Sequence, residues 1–536
     1  MAILYSNLLP FDNKYAIIFK LYKHENAGYY WHIIRLCAAE EHVMMNIWRW
    51  AGSDYVKLIP VLALAFYMAF IPHQSYDYPV HLDEWNNYTY TQAIASSRSI
   101  SFPDPWLGGG IQRYPNPEVG YNVFWSVLHM ISGIPLLTIY RYFPAVILMV
   151  TALAVYILGR RQGFGWEAAL FVCLIPTTIG ILGPAFMVPI ALGLPFIPLS
   201  LYIVLNHRNW WSYVILYVFM MLLLAIHAPT GVGLLIVLVP YILLSFKGDY
   251  KHALGVLFAS VLPFVFGFPW VGTILRVETE GLLSASEITK NVALPHIMGE
   301  YGYLPAAFCA LGIIALVIRG GRQHYGLILG LLLLLLMLVV RYSFHYGDDI
   351  MYFRGLHYMM LMMSIIAGAG LMLVRKIKVP DRLVERLKLP KLPGLPVMLI
   401  RNIGVIICLV LIGVTLNNAI PERQHTGYYY MINQDDYQSF VWINENVSSN
   451  YSRAVLDPWK ATAFTAITGR YIHTRIGEAP TVRDVEAIGF LNSGCKDTNF
   501  LINNDISIVY TPVQVDNPDL VEVRRYIYLL EEPRVP

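Results

Sequence analysis

Charge is what this sequence is short of. Only 14% of its 536 residues are Asp, Glu, Lys or Arg, against about 25% in a soluble globular domain. With 57% hydrophobic residues and a mean hydropathy of +0.52, that shortage excludes a soluble enzyme, a disordered chain and a coiled coil. Cysteine is also scarce. Cys37, Cys173, Cys309, Cys408 and Cys495 stand singly with no Cys-x-x-Cys, so neither zinc nor a redox pair is indicated. A phosphate-binding Gly-x-x-x-x-Gly-Lys loop, a Ser-His-Asp set and a His-Glu-x-x-His helix are all missing. The net charge of +3 is too small to suggest nucleic acid as a partner. No cleavable signal peptide is visible, because the first long apolar run follows residue 57.

What the sequence does hold is apolar runs, and a bilayer-spanning helix needs about 20 mostly apolar residues. Eleven are read: 58–72, 142–159, 165–182, 186–205, 210–226, 229–246, 253–275, 303–318, 325–340, 356–374 and 402–420. Segment 123–139 is a twelfth candidate, less apolar and carrying His129. The chain therefore reads as a polytopic α-helical membrane protein. Placement of Lys and Arg sets its orientation. With the N-terminus cytoplasmic and 123–139 outside as a surface or re-entrant helix, the inner connections carry Arg160-Arg161, His207-Arg208, Lys247 to Lys251 and Arg319 to Arg322. The last inner loop, 375–401, has eight basic residues against Asp381 and Glu385, the expected positive-inside excess. The sequons at Asn87, Asn446 and Asn450 then fall outside.

Three regions follow: a cytoplasmic N-terminal arm (1–57), a membrane module (58–420) with a first external loop (73–141), and an extracytoplasmic domain (421–536). The last alternates short apolar strands (Arg453 to Asp457, Arg470 to Thr474, Ile506 to Tyr510, 521–530) with helices at 458–469 and 480–492. That pattern predicts a small α/β domain.

The sharpest local signal is Tyr76-Asp-Tyr-Pro-Val-His-Leu-Asp83-Glu84-Trp85 in the first external loop. Ionised groups are costly near a bilayer. A carboxylate there is suited to take a proton from an acceptor hydroxyl, or to hold a divalent cation, Mg or Mn, through hard oxygens. The alternative is a solvated loop that happens to contain acids. Adjacent residues project differently, so Asp83 and Glu84 need not share a target. A second cluster runs from Arg341 through His345, Asp348 and Asp349 to Arg354, at helix ends on the outer face. Two readings fit these arginines: bidentate contacts to a lipid phosphate or diphosphate, or pairing with Asp348 and Asp349. The loop 276–302 is long enough for a mobile lid. Trp85 and other external aromatics suit either sugar stacking or an interfacial belt. His81 and Asp104 are further candidates for sugar or acceptor contact, and Asp104-Pro-Trp106 with Gly108-Gly-Gly110 predicts a tight turn.

Taken together, the layout resembles the GT-C superfamily of integral-membrane glycosyltransferases, which includes protein O-mannosyltransferases, aminoarabinose transferases and oligosaccharyltransferases. The resemblance rests on Asp83-Glu84 soon after the first helix, a loop with Pro103, Pro105, Pro115 and Pro117, Arg141 ahead of the next span, and Gly159-Arg-Arg161 before Gly163-Phe-Gly165. It covers about 57–180 well and the other helices in outline. It implies a polyprenyl-phosphate-linked sugar as donor, with Asp83 as base or metal ligand and Glu84 beside it. Two features depart from oligosaccharyltransferases. Their Trp-Trp-Asp-Tyr-Gly signature is missing, and the turn at 183–186, Gly-Pro-Ala-Phe, lacks their second acidic motif. This argues against transfer of a whole oligosaccharide to protein and for an optional metal. The stretch Ala461 to Arg470 looks similar to one in archaeal envelope proteins of this type, which implies a dolichyl-type carrier.

The expectation is therefore a glycosyltransferase moving a sugar from a polyprenyl phosphate to an extracytoplasmic glycan, lipid or protein. Asp83 and Glu84 would be catalytic, and would be the metal ligands if there are any. Arg341, Arg354, His345 and Arg141 would hold the lipid phosphate, and Trp85, His81 and Asp104 would contact sugar or acceptor. A lipid or polysaccharide transporter and a non-catalytic membrane scaffold are the competing classes.

Overall fold

The computed structural model describes residues 53–113, 118–178, 182–283, 299, 301–347, 349–378, 402–428, 430–477 and 480–531. Nearly all of the N-terminal arm, most of the basic loop 375–401 and of the expected lid 276–302, and Asp348 lie outside them. The chain forms two compact units, Met1–Ile59 and Pro60–Pro536. In the first, Ser53–Ile59 open helix α1 (Asp54–Phe70), and Asp54 pairs with Lys57 at 3.3 Å.

After α1 come helix α2 (Leu82–Ser97), a hairpin of β1 (Ser101–Pro103) and β2 (Ile111–Arg113), and helix α3 (Val119–Ser132). The apolar helices then run α4 (Leu136–Gln162), α5 (Gly165–Val172), α6 (Pro189–Gly193), α7 (Phe196–Asn206), α8 (Trp210–Ile226), α9 (Ala228–Phe246), α10 (Tyr250–Leu283), α11 (Tyr303–Arg319), α12 (Arg322–Phe344), α13 (Asp349–Arg375) and α14 (Ile403–His425). Among the described residues, eight helical segments are long and apolar enough to cross a membrane, with α8 and α11 shorter. The 14 residues of α3 make about 21 Å of helix, short of the roughly 30 Å of a hydrocarbon core. One face of α3 is buried through Tyr121, Asn122, Trp125 and Ser126, while Phe124, Val127 and Ile131 are exposed.

The most enclosed span is α13, with 89% of its apolar window buried. Glycine lets its neighbours approach closely: a Cβ at Gly370 would lie 2.1 Å from the Phe308 carbonyl oxygen of α11. Small residues at such crossings are how apolar helices pack where lipid offers no hydrophobic drive.

Polar contacts separate the two ends of the bundle. At one, Arg319 donates to the Gln162 carbonyl at 2.7 Å, His324 meets the Gln162 side chain at 2.8 Å, Arg208 pairs with Asp249 at 3.2 Å and Arg375 with Glu167 at 2.7 Å. This end gathers the basic connections read as inner. The first loop and the C-terminal region meet each other at the opposite end.

The expected spanning helix at 165–182 is not one helix. Only Gly165–Val172 is helical, and the chain beyond it is irregular through Thr178. Pro176 and the turn that follows cannot continue a helix. The segment nonetheless joins both ends, from Glu167 to a turn in which Ala185 N–H donates to Thr177 Oγ1 at 3.0 Å. Non-helical backbone at this depth is tolerable only when protein satisfies it. Buried Arg423 does so, donating to Thr177 Oγ1 at 2.9 Å and to the Ile175 carbonyl.

The C-terminal region holds α15 (Gln434–Asn446), β3 (Arg453–Leu456), α16 (Pro458–Thr468), β4 (Tyr471–Ile472), α17 (Val482–Asn492), α18 (Thr498–Asn503), β5 (Ile508–Tyr510), β6 (Leu520–Arg524) and β7 (Ile527–Leu530). Its five-stranded sheet runs β4-β3-β5-β7-β6, parallel over the first three strands and antiparallel after them. Val455, Phe490, Leu491, Leu501 and Val509 pack one face with α17 and α18. On the other, Phe440 of α15 stacks edge-on with Phe464 and Tyr510.

Candidate functional site

The site begins with how α2 starts. His81 is its N-cap, and its Nδ1 accepts from Asp83 N–H at 3.1 Å. Burial holds the His81 imidazole below its usual range, so the neutral ring can accept there, while nearby Asp83 pulls the other way. Glu84 closes the capping box, taking the Val80 and His81 N–H groups on Oε2 at 2.7 and 3.0 Å. Its Oε1 accepts from Met187 N–H at 2.6 Å, tying α2 to the turn before α6. Glu84 is fully buried. Burial pushes its carboxyl up to about 8 against the pull of those three donors.

Asp83 projects the other way, with its side chain 41% exposed. It lines a cavity of about 200 Å³ together with Asn86, Asn87, Tyr90, Glu118, His227, Arg354, Arg475 and an apolar wall of Leu182, Val188, Pro189 and Ile190. Six parts of the fold meet here: α2, the start of α3, the turn into α6, the α8–α9 junction, α13 and the C-terminal region. Burial pushes Glu118 up to about 8, with Arg354 pulling it down and Asp83 adding to the rise. His227 Nε2 lies 3.8 Å from Glu118 Oε1, and its Nδ1 meets Thr230 Oγ1 at 2.7 Å, which in turn meets Tyr358 Oη at 2.9 Å. The Arg354 Nε is buried without a hydrogen-bond partner among the described residues.

Of the nine residues expected at the site, Asp83 and Arg354 line this cavity. Glu84 and His81 sit behind Asp83 as its support. Trp85 is fully buried against Tyr88. Asp104 makes the predicted turn, accepting from Trp106 and Leu107 N–H at 2.8 Å each. Arg141 pairs with Asp77 at 2.8 Å. Arg341, buried in the last turn of α12, donates to the carbonyl of His345 at 2.6 Å, and His345 ends that helix in the left-handed region. The sequon residue Asn87 is buried and donates to the Asp83 carbonyl at 2.9 Å.

The donor set tests the metal expectation. Asp83 and Glu84 do not form a two-carboxylate cation site, because Glu84 is enclosed by three backbone donors while Asp83 faces the cavity. Among the described residues, no group of three or more His, Cys, Asp or Glu is placed to hold a metal ion.

Sequence reading missed Glu118, His227 and Arg475. Glu118 had a weak signal, an acid between the proline turn and a helix start. Arg475 had none, since its place depends on docking across the fold.

This architecture is similar in fold to solved membrane glycosyltransferases of the GT-C class. Solved structures of that fold include the archaeal oligosaccharyltransferase AglB from Archaeoglobus fulgidus, in complex with an inhibitory peptide and a dolichol-phosphate. It is 13% identical with a TM-score of 0.58, over 86% of this chain and 69% of that one. ArnT from Cupriavidus metallidurans bound to undecaprenyl phosphate is 13% identical at a TM-score of 0.50, covering 90% and 98%. Mycobacterial arabinofuranosyltransferase AftD is 16% identical at a TM-score of 0.54, covering 88% and 39%. An Archaeoglobus fulgidus oligosaccharyltransferase in complex with Zn and sulfate also aligns, at a TM-score of 0.54 and 14% identity over 84% and 67%. No family model and no curated protein matches the sequence.

Proposed function

We propose that the chain is a multi-pass membrane glycosyltransferase that moves a sugar from a polyprenyl, dolichyl-type, phosphate carrier to an extracytoplasmic glycan, lipid or protein. The observation that carries this reading is one cavity holding both a carboxylate, Asp83, and a guanidinium, Arg354, at the end of the bundle away from its basic connections. The dolichol-phosphate of the AglB complex and the undecaprenyl phosphate of the ArnT complex lend the donor class support.

In this reaction the acceptor O–H attacks the anomeric carbon, and Asp83 takes its proton as the new glycosidic C–O bond forms. The bond from that carbon to the phosphate oxygen breaks, and its electron pair leaves with the lipid phosphate. Arg354 neutralises the charge that develops there, a preorganised electrostatic contribution. Glu84 and His81 act through Asp83: their hydrogen bonds fix the first turn of α2 and so the direction of its carboxylate. The 200 Å³ cavity is below the roughly 300–1,000 Å³ of sites for drug-sized ligands. It therefore suits a head group and one sugar better than a preassembled oligosaccharide.

The test is sugar transfer by the purified protein in lipid, supplied with a dolichyl- or undecaprenyl-phosphate sugar. Asp83→Asn should lower turnover by about 10²–10⁴ with thermal stability retained. Turnover near wild type in a folded Asp83→Asn protein would remove Asp83 from the mechanism.

A further inference from the structure

Two arginines reach the cavity, and they come from unrelated parts of the chain. Arg354 arrives on α13, Arg475 on the segment after β4. Arg475 is firmly aimed. Its guanidinium lies 3.8 Å from the ring centre of Trp106, and its Nη1 donates to Asn86 Oδ1 at 2.5 Å, one turn of α2 beyond Asp83. The ring itself is fixed by the same region: the Trp106 carbonyl accepts from Ile472 N–H at 2.8 Å, and Arg453 donates to the Leu107 carbonyl at 3.1 Å. Among the described residues, Asn86 is the only hydrogen-bond partner of Arg475, and no carboxylate lies within ion-pair distance of it.

A guanidinium has five N–H donors in a planar fork. Stacking on the indole face stabilises the cation but, with Asn86 taking one N–H, leaves donors of the fork that an anionic ligand would pair with. Burial keeps the Glu118 carboxyl up near 8, so at neutral pH the acid charges facing these two cations are those of Asp83 and, on the Arg475 side, Asp104. Both guanidinium groups line the same cavity of about 200 Å³. We infer that Arg475 is a ligand of the donor phosphate, closing on it from the C-terminal region while Arg354 holds it from the bundle. This rests on the glycosyltransferase reading and adds a substrate-contacting residue to it. It also fits the charge change of the reaction. A phosphodiester donor carries one negative charge and the departing phosphate monoester about 1.5–2, so a second cation gains strength as the bond breaks.

The experiment uses the full chain in lipid nanodiscs, titrated with polyprenyl phosphate and, in parallel, with polyprenyl diphosphate and inorganic phosphate. Arg475→Ala should weaken polyprenyl phosphate by about 10- to 150-fold, the range of one charge-assisted contact. Arg475→Lys should recover part of that, since a point charge cannot reproduce the fork. Arg483→Ala, an exposed charge on α17, should change nothing. A larger Arg475→Ala loss for the diphosphate would assign Arg475 to a second phosphate, and an equal loss to the one both lipids share. Displacement of the lipid by inorganic phosphate, weakened in Arg475→Ala, would make the phosphoryl group itself the ligand. Wild-type affinity in Arg475→Ala with a lower melting temperature would overturn the inference, leaving Arg475 a staple between α2 and the C-terminal region. In that case loss of binding in Arg354→Ala would keep the glycosyltransferase reading standing. Failure of the wild type to bind any polyprenyl phosphate would sink both. If the Ala variant does not fold, unchanged affinity in Arg475→Lys serves as the overturning result.

Discussion

One residue apart on α2, Asp83 opens onto the cavity while Glu84 is sealed behind it by three backbone N–H groups. A glutamine at 84 has one acceptor oxygen, so either Met187 N–H or the Val80–His81 pair would lose its partner. Glu84→Gln should therefore destabilise the protein by about 1–3 kcal/mol, read as a lowered melting temperature. Turnover should also fall, because the aim of Asp83 loosens. Glu118 supplies a pH signature. Its carboxyl sits near 4.5 in the unfolded chain and is raised to about 8 by burial in the fold, so the folded state holds the proton more tightly. The stability this gives is complete below about 4.5 and is lost as pH rises through about 8. Between pH of about 6 and 9 the wild type should lose more melting temperature than Glu118→Gln, which cannot titrate there. Parallel curves would show that Glu118 is not held neutral. The acid pair was legible in the sequence as a pair. Which member opens onto the cavity came only from the resemblance, which singled out Asp83; the residues left it open, because the group that claims Glu84 lies 103 residues away.

At the scale of elements, hydropathy reports burial and says little about helicity. The stretch 165–182 is as apolar as its neighbours, and its described residues are buried like them, yet among these only the first eight are helical. The hydrogen bonds that make this tolerable come from Arg423, 246 residues from Thr177, so no local pattern announces them. Replacing Arg423 with Leu leaves the buried Ile175 carbonyl without its donor and takes one of two donors from Thr177 Oγ1. It should cost more stability than Thr177→Val, which removes the oxygen shared by Ala185 N–H and Arg423 but leaves the Ile175 carbonyl paired; equal losses would show that the Ile175 carbonyl does not depend on Arg423. The crossing of α11 and α13 gives a second comparison. Gly370→Ala puts a methyl group against the Phe308 carbonyl, whereas nothing lies within 4 Å of a Cβ at Gly413 in α14. The first should lower the melting temperature. The second should leave it unchanged or raise it, since alanine favours a helix by about 1 kcal/mol. In the C-terminal region the strands at 453–457 and 506–510 were legible as short apolar runs. Helices α15 and α18 were not, because α15 (Gln434–Asn446) is polar over its first turn and α18 is only six residues long.

For the whole molecule, the membrane class followed from composition alone, and the gathering of Lys and Arg sets the sidedness to be expected. The first loop and the C-terminal region are joined by Ile472 to Trp106 and Arg475 to Asn86, so they must share a side. Single cysteines placed at exposed Ser99, Lys376 and Lys496 test this in intact cells. An impermeant thiol reagent should label 99 and 496 but not 376, and labelling of 376 together with 99 would invert or break the arrangement. The bond between Asn86 and Arg475 closes across 389 residues. At a synthesis rate of about 5–20 residues per second, Asn86 waits roughly 20–80 s for its partner to be made. Throughout that interval the carboxylate of Asp83 stands beside an unfinished cavity, so each newly made molecule acquires its complete site only after nearly all of its chain has been translated.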